Sequence, residues 1–261
     1  MMYKFCAKTD TGRARDNNED SVVVDEANNL AVLADGMGGY NAGEIASGMA
    51  TAFIKSELSR WLTEVGGGAK SKEVRRALEI CVDNANLSIY NSANSNAHYA
   101  GMGTTLVVAV FRDDKLMVGH IGDSRCYRAR KGEFEQITKD HSLLQEQLDA
   151  GLITKEQSVN SSIKNLVTRA LGVEEVVLLE INEYAVEVGD TYLLCSDGLS
   201  DMAEDASIAK IVSSGADLTH KADSLIQLAN HHGGRDNISI VLVEVKEDVD
   251  RRGLIARLLG K

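Results

Sequence analysis

An apolar strand that ends in a carboxylate is the feature that most constrains how this chain can fold. Residues 30–34 are apolar and strand-forming, and Asp35 follows them directly, before the glycine-rich residues 36–39 and a stretch of helical character. A charged group at the end of a buried strand is costly unless a partner compensates its charge, and glycine costs conformational entropy. The segment therefore predicts a bound group that needs negative charge and a close approach of the backbone.

The same arrangement of an apolar strand beside an acid and a glycine or asparagine occurs at three other places. The acids there are Asp123, Asp197 and Asp236, and a fifth acidic site, residues 17–20, leads into a strand. Each acid taken singly is best explained as a turn carboxylate that accepts backbone N–H groups. Five buried together would repel one another, and divalent cations would remove that penalty. Oxygen ligands without a suitable His or Cys cluster predict hard ions such as Mg²⁺ or Mn²⁺.

Arg15 lies just before the acids Glu19 and Asp20. A solvent-facing loop arginine is the simplest interpretation. Beside an acidic metal cluster, however, a guanidinium is suited to contact two oxygens of a phosphate at once. Acids, hard metals and one arginine together indicate hydrolysis of a phosphate ester by a metal-activated water.

The composition excludes several other classes of protein. The 261 residues, of which 44% are hydrophobic, are enough to bury a large core. The net charge of −11 would repel nucleic acid. No apolar run reaches the roughly 18 residues of a membrane span, and the N-terminus lacks the apolar core of a signal peptide, so we expect a cytoplasmic protein. The four scattered cysteines are expected to be reduced thiols.

The order of the predicted elements indicates an α+β protein with antiparallel sheets covered by helices. Two long helices, over 42–65 and 71–97, are inserted among strands that form hairpins, and regular βαβα alternation is missing from the pattern. We expect the second helix to fray over 91–96. The remaining predictions are strands at 3–7, 21–25, 30–34, 104–111, 115–121, 124–129, 176–186, 191–195 and 238–245, and helices at 141–150, 207–212 and 218–231.

These motifs resemble those of the metal-dependent protein phosphatases of the PPM, or protein phosphatase 2C, family. The matching segments, in the family's order, are residues 12–21, 34–39, 101–105, 122–125, 196–199 and 234–238. One such motif is weak evidence, whereas six in order are highly specific. The resemblance covers about residues 3–245 and implies a single domain over 1–245 with a tail over 246–261. The implied fold is a four-layer αββα sandwich of two antiparallel β-sheets flanked by helices.

The resemblance also implies a centre of two Mn²⁺ or Mg²⁺ ions. Asp35 would bridge both ions, and Asp197 and Asp236 would complete the protein ligands of one. Glu19 and the carbonyl of Gly36 would serve the other ion.

Further residues would support this centre. By the same resemblance, Arg15 would bind the substrate phosphate and Asp20 would hold ion-bound waters. Asp123, together with Asp197, matches the positions of a third, weaker ion in bacterial members. Asn237 is expected to orient the aspartate before it, although a plain turn residue is nearly as good an explanation.

The implied activity is that of a bacterial-type phosphoserine and phosphothreonine protein phosphatase. A hydroxide shared by the two ions would attack phosphorus directly, in line with the Ser or Thr oxygen. The implied partners are phosphoproteins and a cognate Ser/Thr kinase, and we expect a monomer. Two alternatives stay open: a catalytically silent phosphoprotein-binding module, which should have lost a metal acid, and hydrolysis of another phosphate ester.

The sequence departs from the family pattern in two ways. Met37 stands where many eukaryotic members carry a histidine proposed as the general acid, and Met cannot donate a proton. His141 is a substitute by residue type alone, and a structural histidine that caps a helix is the better interpretation. A flap, about residues 141–172, carries Ser161 and Ser162 in place of the usual His-Pro pair. The tail over 250–261 is basic and amphipathic, as in a helix that binds a membrane surface or a partner, but docking on its own domain or fraying is the better interpretation.

Overall fold

The computed structural model describes residues 1–39, 42–154, 157 and 166–248. Its strands are β1 (Met2–Asp10), β2 (Asp20–Asp25), β3 (Leu30–Met37), β4 (Gly103–Thr104), β5 (Leu106–Arg112), β6 (Lys115–Ile121), β7 (Arg125–Arg130), β8 (Glu133–Gln136), β9 (Glu180–Ala185), β10 (Thr191–Cys195) and β11 (Ile238–Lys246). Its α-helices are α1 (Ala42–Val65), α2 (Ser71–Ser95), α3 (Leu143–Asp149), α4 (Asp197–Ser200), α5 (Asp205–Val212) and α6 (Leu218–His231).

Two antiparallel β-sheets form the centre of the molecule. The first has five strands in the order β1-β11-β10-β7-β8, and the second has six, in the order β2-β3-β5-β6-β9 with β4 paired to β3. Helices α1 and α2 pack on the outer face of the second sheet, and α5 and α6 pack on the outer face of the first. The expected four-layer αββα sandwich, with its α+β class, is confirmed.

The strands divide their side chains between two layers of core, because successive residues of a strand point to opposite faces. In β3, Leu30 and Val32 pack with the helices α1 and α2, whereas Leu33 packs in the layer between the two sheets. In β10, Tyr192 lies between the sheets and Leu193 packs with α5 and α6. Strands β3 and β10 are therefore buried on both faces, and Asp35 and Asp197 lie near or just after their ends.

Several predicted elements differ in extent from the observed ones; β1, for example, spans Met2–Asp10 and β3 spans Leu30–Met37. Helix α2 continues to Ser95 without fraying, and its polar end is held by side chains that donate to carbonyls one turn earlier, such as Ser95 Oγ to the carbonyl of Asn91 at 2.6 Å. The strand expected over 176–186 begins only at Glu180. The helix expected over 141–150 spans Leu143–Asp149, and the edge strand β8 was not predicted.

Other expectations concern the chain as a whole. None of the helices in the described part of the chain is long and apolar enough to cross a bilayer. All four cysteines are described, and none forms a disulfide. Strand β11 includes Lys246, the first residue of the expected tail. The rest of the tail from 249, and Ser161 and Ser162 of the flap, lie outside the described residues.

Candidate active site

The acidic residues come together where the strands of both sheets end. Asp20 at the start of β2 and Asp35 near the end of β3 are directly opposite in the antiparallel pair, which places their side chains on the same face. In the other sheet, Asp197 follows β10 and Asp236 precedes β11, and these two strands are neighbours. One end of the sandwich therefore collects four aspartates that are far apart in sequence.

The electrostatics of these groups show how near they are to one another. Desolvation raises the pKa of Asp35 well above its usual value, and the neighbouring charges of Asp20 and Asp197 raise it further. Desolvation likewise raises the pKa of Asp197, followed by the charges of Asp123 and Asp201. A set of carboxylates that oppose each other's ionisation needs either protons or cations.

Asp20 offers a direct test of whether a hydrated cation fits this cluster. Its Oδ2 accepts a hydrogen bond from Ser196 Oγ at 2.8 Å. Its Oδ1 is buried and has no hydrogen-bond partner among the described residues. Buried oxygens of this kind usually face an ordered water or an ion. The unpartnered oxygen therefore fits the expected role of Asp20 in holding waters beside a metal.

Gly36 is a glycine for a steric reason. A Cβ at this position would lie 2.1 Å from the carbonyl oxygen of Gly43 in α1 and 2.5 Å from the carbonyl oxygen of Glu19. The N–H of Gly36 donates to the same Glu19 oxygen at 3.1 Å. Strand β3, the lead into β2 and the start of α1 thus pack backbone against backbone beside Asp35. The expected close approach of this backbone to a bound group stays a prediction.

Asn237 organises the loop that carries Glu19. Its Oδ1 accepts from the N–H of Glu19 at 2.8 Å, and its Nδ2 donates to the carbonyls of Asn17 at 2.9 Å and Thr11 at 3.0 Å. Only its backbone N–H contacts the carboxylate of Asp236, at 2.9 Å. The expected orientation of Asp236 is thus made by the main chain of Asn237, while its side chain positions a different ligand candidate.

Arg15 lies at the rim of the cluster. Its Nη2 is 2.7 Å from Asp236 Oδ2, and its side chain is 47% exposed. A guanidinium carries five N–H donors, and this contact uses one of them. Arg15 is therefore placed to contact an anion that enters from solvent while it remains attached to the acidic cluster.

Asp123 and Asp201 extend the cluster around Asp197. Asp123 is nearly buried in the turn after β6, and desolvation, with the charge of Asp140 next, raises its pKa to about 6. Asp201 was not singled out from the sequence, yet its charge raises the pKa of both Asp123 and Asp197. It caps the short helix α4 at the position four residues after Asp197, a spacing that could have revealed it.

A second polar cluster lies outside the acidic one. In the described part of the chain, one group of possible metal ligands has all its ligand atoms within 4.8 Å of one another. This group consists of His120, His141 and Glu180. No such group stands out from the sequence, because the three residues are far apart in the chain. The carboxylates of the acidic cluster are spaced more widely, as suits Mg²⁺-like ions that keep several waters and take one or two carboxylates each.

Hydrogen bonding argues against a metal at the histidine cluster. The N–H of Gly122 donates to His141 Nδ1 at 3.1 Å, so this nitrogen carries the lone pair and the proton of the neutral ring is on Nε2. A metal on Nε2 would require the opposite tautomer. His141 does not cap α3 as expected, because Ser142 is the N-cap and its Oγ accepts from Gln145 N at 3.2 Å.

Comparison with known proteins agrees with this geometry. The family profile described as protein phosphatase 2C matches residues 11–231. The serine/threonine phosphatase stp of Listeria innocua is 39% identical over 240 residues, 91% of this chain and 94% of that protein. The crystal structure of the serine/threonine phosphatase PstP/Ppp of Mycobacterium tuberculosis has a TM-score of 0.87 and 36% identity, covering 95% of this chain and 100% of that one. The catalytic domain of PstP in complex with two manganese ions has a TM-score of 0.82 and 37% identity, covering 94% and 99% of the two chains. The chain therefore belongs to the protein phosphatase 2C family, in its bacterial branch.

Proposed function

We propose that this chain hydrolyses phosphoserine and phosphothreonine in proteins, with two Mn²⁺ or Mg²⁺ ions held by the acidic cluster. The observation that carries the proposal is the gathering of four aspartates at one end of the sandwich, where the charges of Asp20 and Asp123 raise the pKa of both Asp35 and Asp197. Such a cluster can be fully ionised at neutral pH only if cations compensate its charge. The named phosphatase relatives supply the substrate class.

The ligand assignment is the one that the family resemblance implies. Asp35 would contact both ions. Asp197 and Asp236 would complete one ion from the first sheet, and Glu19 with the carbonyl of Gly36 would bind the other. When bound, the ions lower the pKa of a water and neutralise charge on a phosphoryl group.

A third, weaker ion is proposed beside Asp123 and Asp197. The charge of Asp123 raises the pKa of Asp197, and the charge of Asp201 raises the pKa of both carboxyls. A cation there would relieve this repulsion.

The protein's own groups bind the substrate and hold the cluster in place. Arg15 would bind the phosphate through the N–H groups that do not contact Asp236. Asp20 accepts from Ser196 with one oxygen and keeps the other toward the cluster, where it can orient a water. Neither Met37 nor His141 serves as the general acid, because Met37 has no proton to give and both ring nitrogens of His141 are engaged.

A catalytically silent binding module is the weaker candidate. Loss of at least one metal acid would be expected in such a protein, and Glu19, Asp35, Asp197 and Asp236 are all present. We further propose that the chain works as a monomer in the cytoplasm and that its phosphoprotein substrates are made by a Ser/Thr kinase, since a protein phosphatase requires a phosphorylating enzyme to supply its substrate.

The test is phosphate release from a phosphothreonine peptide, measured with Mn²⁺ and with chelator. We expect Mn²⁺-dependent turnover that Asp35→Asn reduces by at least about 100-fold, the upper range for a lost metal contact. Asp83→Asn, the same change at an exposed position of α2, is the matched control and should leave turnover unchanged. Full activity in Asp35→Asn would refute the assigned centre. Hydrolysis of a small aryl phosphate but of no phosphopeptide would favour another phosphate ester as substrate.

A further inference from the structure

His141 holds the residue before Asp123 from both sides of its peptide backbone. The N–H of His141 donates to the carbonyl of Gly122 at 2.9 Å, and the N–H of Gly122 donates back to His141 Nδ1 at 3.1 Å. Gly122 has a φ of +97°, a left-handed conformation that glycine adopts without strain. The direction in which Asp123 leaves this turn therefore depends on the two contacts with His141.

The turn is tied in the same way to the centre of the acidic cluster. Ser124 Oγ lies 2.7 Å from Thr105 Oγ1, and Thr105 Oγ1 accepts from the N–H of Asp35 at 3.0 Å. The N–H of Thr105 donates to the carbonyl of Asp35 at 2.9 Å. A continuous chain of hydrogen bonds thus runs from His141 through the Gly122 turn to the backbone of Asp35.

The other side of His141 is attached to the flap. We call residues 141–143 and 166–171 the flap foot. The N–H of Thr168 donates to the carbonyl of His141 at 2.8 Å, and Ser142 forms a β-bridge with Val167. Leu171 at the end of the flap foot pairs with Thr104, whose Oγ1 donates to the carbonyl of Asp35 at 2.9 Å. Both ends of the flap foot are therefore joined to the frame of the acidic cluster.

The ring of His141 is held in one orientation by its surroundings. It is buried and stacks on His120 with ring centroids 4.7 Å apart, and His120 Nε2 contacts the carbonyl of Lys139 at 2.8 Å. The protonated Nε2 of His141 lies 3.4 Å from Glu180 Oε2 and 3.4 Å from Arg169 Nη1. A proton on Nε2 can be donated to the carboxylate and not to the guanidinium, so Glu180 fixes the tautomer that leaves Nδ1 free to accept from Gly122.

We propose that His141 is a positioning residue that couples the flap foot to the ion site at Asp123, through acceptance of the Gly122 N–H by its Nδ1. The inference rests on the proposed function, because it concerns the third ion of that centre. Hydrogen bonds one step removed from the ligands commonly set metal affinity. A variant in which the flap foot is less ordered should therefore also bind the weakest ion less tightly.

Two amide variants separate this role from simple packing. In His141→Asn the side-chain oxygen can occupy the place of Nδ1, whereas in His141→Gln the amide reaches the place of Nε2 and cannot accept from Gly122. His141→Ala removes both contacts, and His220→Asn makes the same change as the first variant at an exposed histidine of α6. Mn²⁺ binding to the full chain is followed by electron paramagnetic resonance of free Mn²⁺, and hydrogen exchange is measured over the flap foot.

We expect His141→Gln and His141→Ala to lower the affinity for the most weakly bound Mn²⁺ by about tenfold, the lower range for a lost supporting contact. The backbone amide hydrogens of the flap foot should also exchange faster in these two variants. His141→Asn and His220→Asn should stay within about twofold of wild type, because each keeps the acceptor at Gly122. For the aryl phosphate, kcat at limiting Mn²⁺ should fall while KM, which depends on Arg15, should hold.

The outcomes distinguish this proposal from the proposed function. Wild-type Mn²⁺ affinity in His141→Gln, or equal losses in the Asn and Ala variants, would overturn the coupling while leaving phosphatase activity in place. The expected Mn²⁺ differences in a chain that dephosphorylates no peptide would support the coupling and refute the activity. A wild-type chain that binds no Mn²⁺ would refute both. If His141→Ala does not fold, the Asn and Gln pair decides the question.

Discussion

Replacing Asp20 by asparagine should stabilise the metal-free protein at alkaline pH. Desolvation raises the pKa of the Asp20 carboxyl from 3.8 to about 6. The folded state therefore binds this proton more tightly than the unfolded state, so the group adds stability as the pH falls through 6 and adds none well above it. At pH 8 the ionised carboxylate destabilises the fold by about 3 kcal/mol relative to a neutral group with the same contacts.

The asparagine variant removes the charge and keeps an acceptor for Ser196. An amide N–H without a partner would cost about 1–3 kcal/mol. If the new amide donates to the opposite carboxylate of Asp35, this cost is reduced, and the variant should be more stable than wild type at pH 8 by about 1 kcal/mol or more. Between pH 8 and pH 5 the wild type should gain on the order of 1 kcal/mol through Asp20, and the variant should lack this gain. The pKa of His141 is lowered in the folded state, so this residue makes the protein less stable as the pH falls below 6.5. The effect is equal in wild type and variant, so it cancels in the difference between their free energies of unfolding.

The assay is urea unfolding with EDTA at several pH values, followed by the fluorescence of Trp61, the single tryptophan. A difference of 1 kcal/mol corresponds to about 2–4 °C in melting temperature for a chain of this size. With saturating Mn²⁺ the order should reverse, because the wild type binds the ions more tightly and gains more stability from them. Parallel pH profiles in EDTA, or a variant less stable than wild type at pH 8, would refute the reasoning.

Two further predictions concern the rim and the frame of the site. Arg15→Ala should raise KM for an aryl phosphate more than it lowers kcat, because a guanidinium at the rim binds the phosphate before reaction; a loss in kcat alone would contradict that role. Gly36→Ala should destabilise the fold by about 3 kcal/mol or more, since its Cβ would overlap the carbonyl of Gly43. Gly39→Ala, whose Cβ would have no atom within 4 Å, is the control, and equal urea midpoints for the two variants would exclude the steric explanation.

The layers of the fold could be predicted because local periodicity follows burial. Helix α1 has the predicted bounds, since its apolar face is continuous and glycines follow it directly. The segment before β9 shows the limit of this signal. Val177 and Leu179 pack against the core, whereas Val176 and Leu178 are 74% and 72% exposed. The segment has the alternation typical of a strand, but none of the strands in the described ranges pairs with it. Pairing cannot be deduced from periodicity alone.

The acidic residues of the candidate site could be predicted from the sequence, but the residues that position them could not. Asp35 and Asp197 stand out because the same arrangement of an acid beside an apolar strand recurs in the sequence, and several buried carboxylates together need compensating charge. The contacts of Asn237 with Glu19, and of His141 with Gly122, join residues far apart in the sequence. A histidine or asparagine in a loop has many possible partners, so its role becomes visible only when the register of both sheets is known.

The frame explains how the protein can hold repelling carboxylates before any ion binds. Around Asp35, its N–H donates to Thr105 Oγ1, its carbonyl accepts from the Thr105 N–H, and Gly36 donates to the carbonyl of Glu19. These bonds involve the main chain, so they do not weaken when the side chains ionise. Metal affinity improves when the ligands are already in place. The frame keeps the carboxylates together in spite of their repulsion, and a bound ion then relieves that repulsion. The same frame extends through Gly122 to His141, which is why the residue that holds the flap foot can affect an ion that it does not touch.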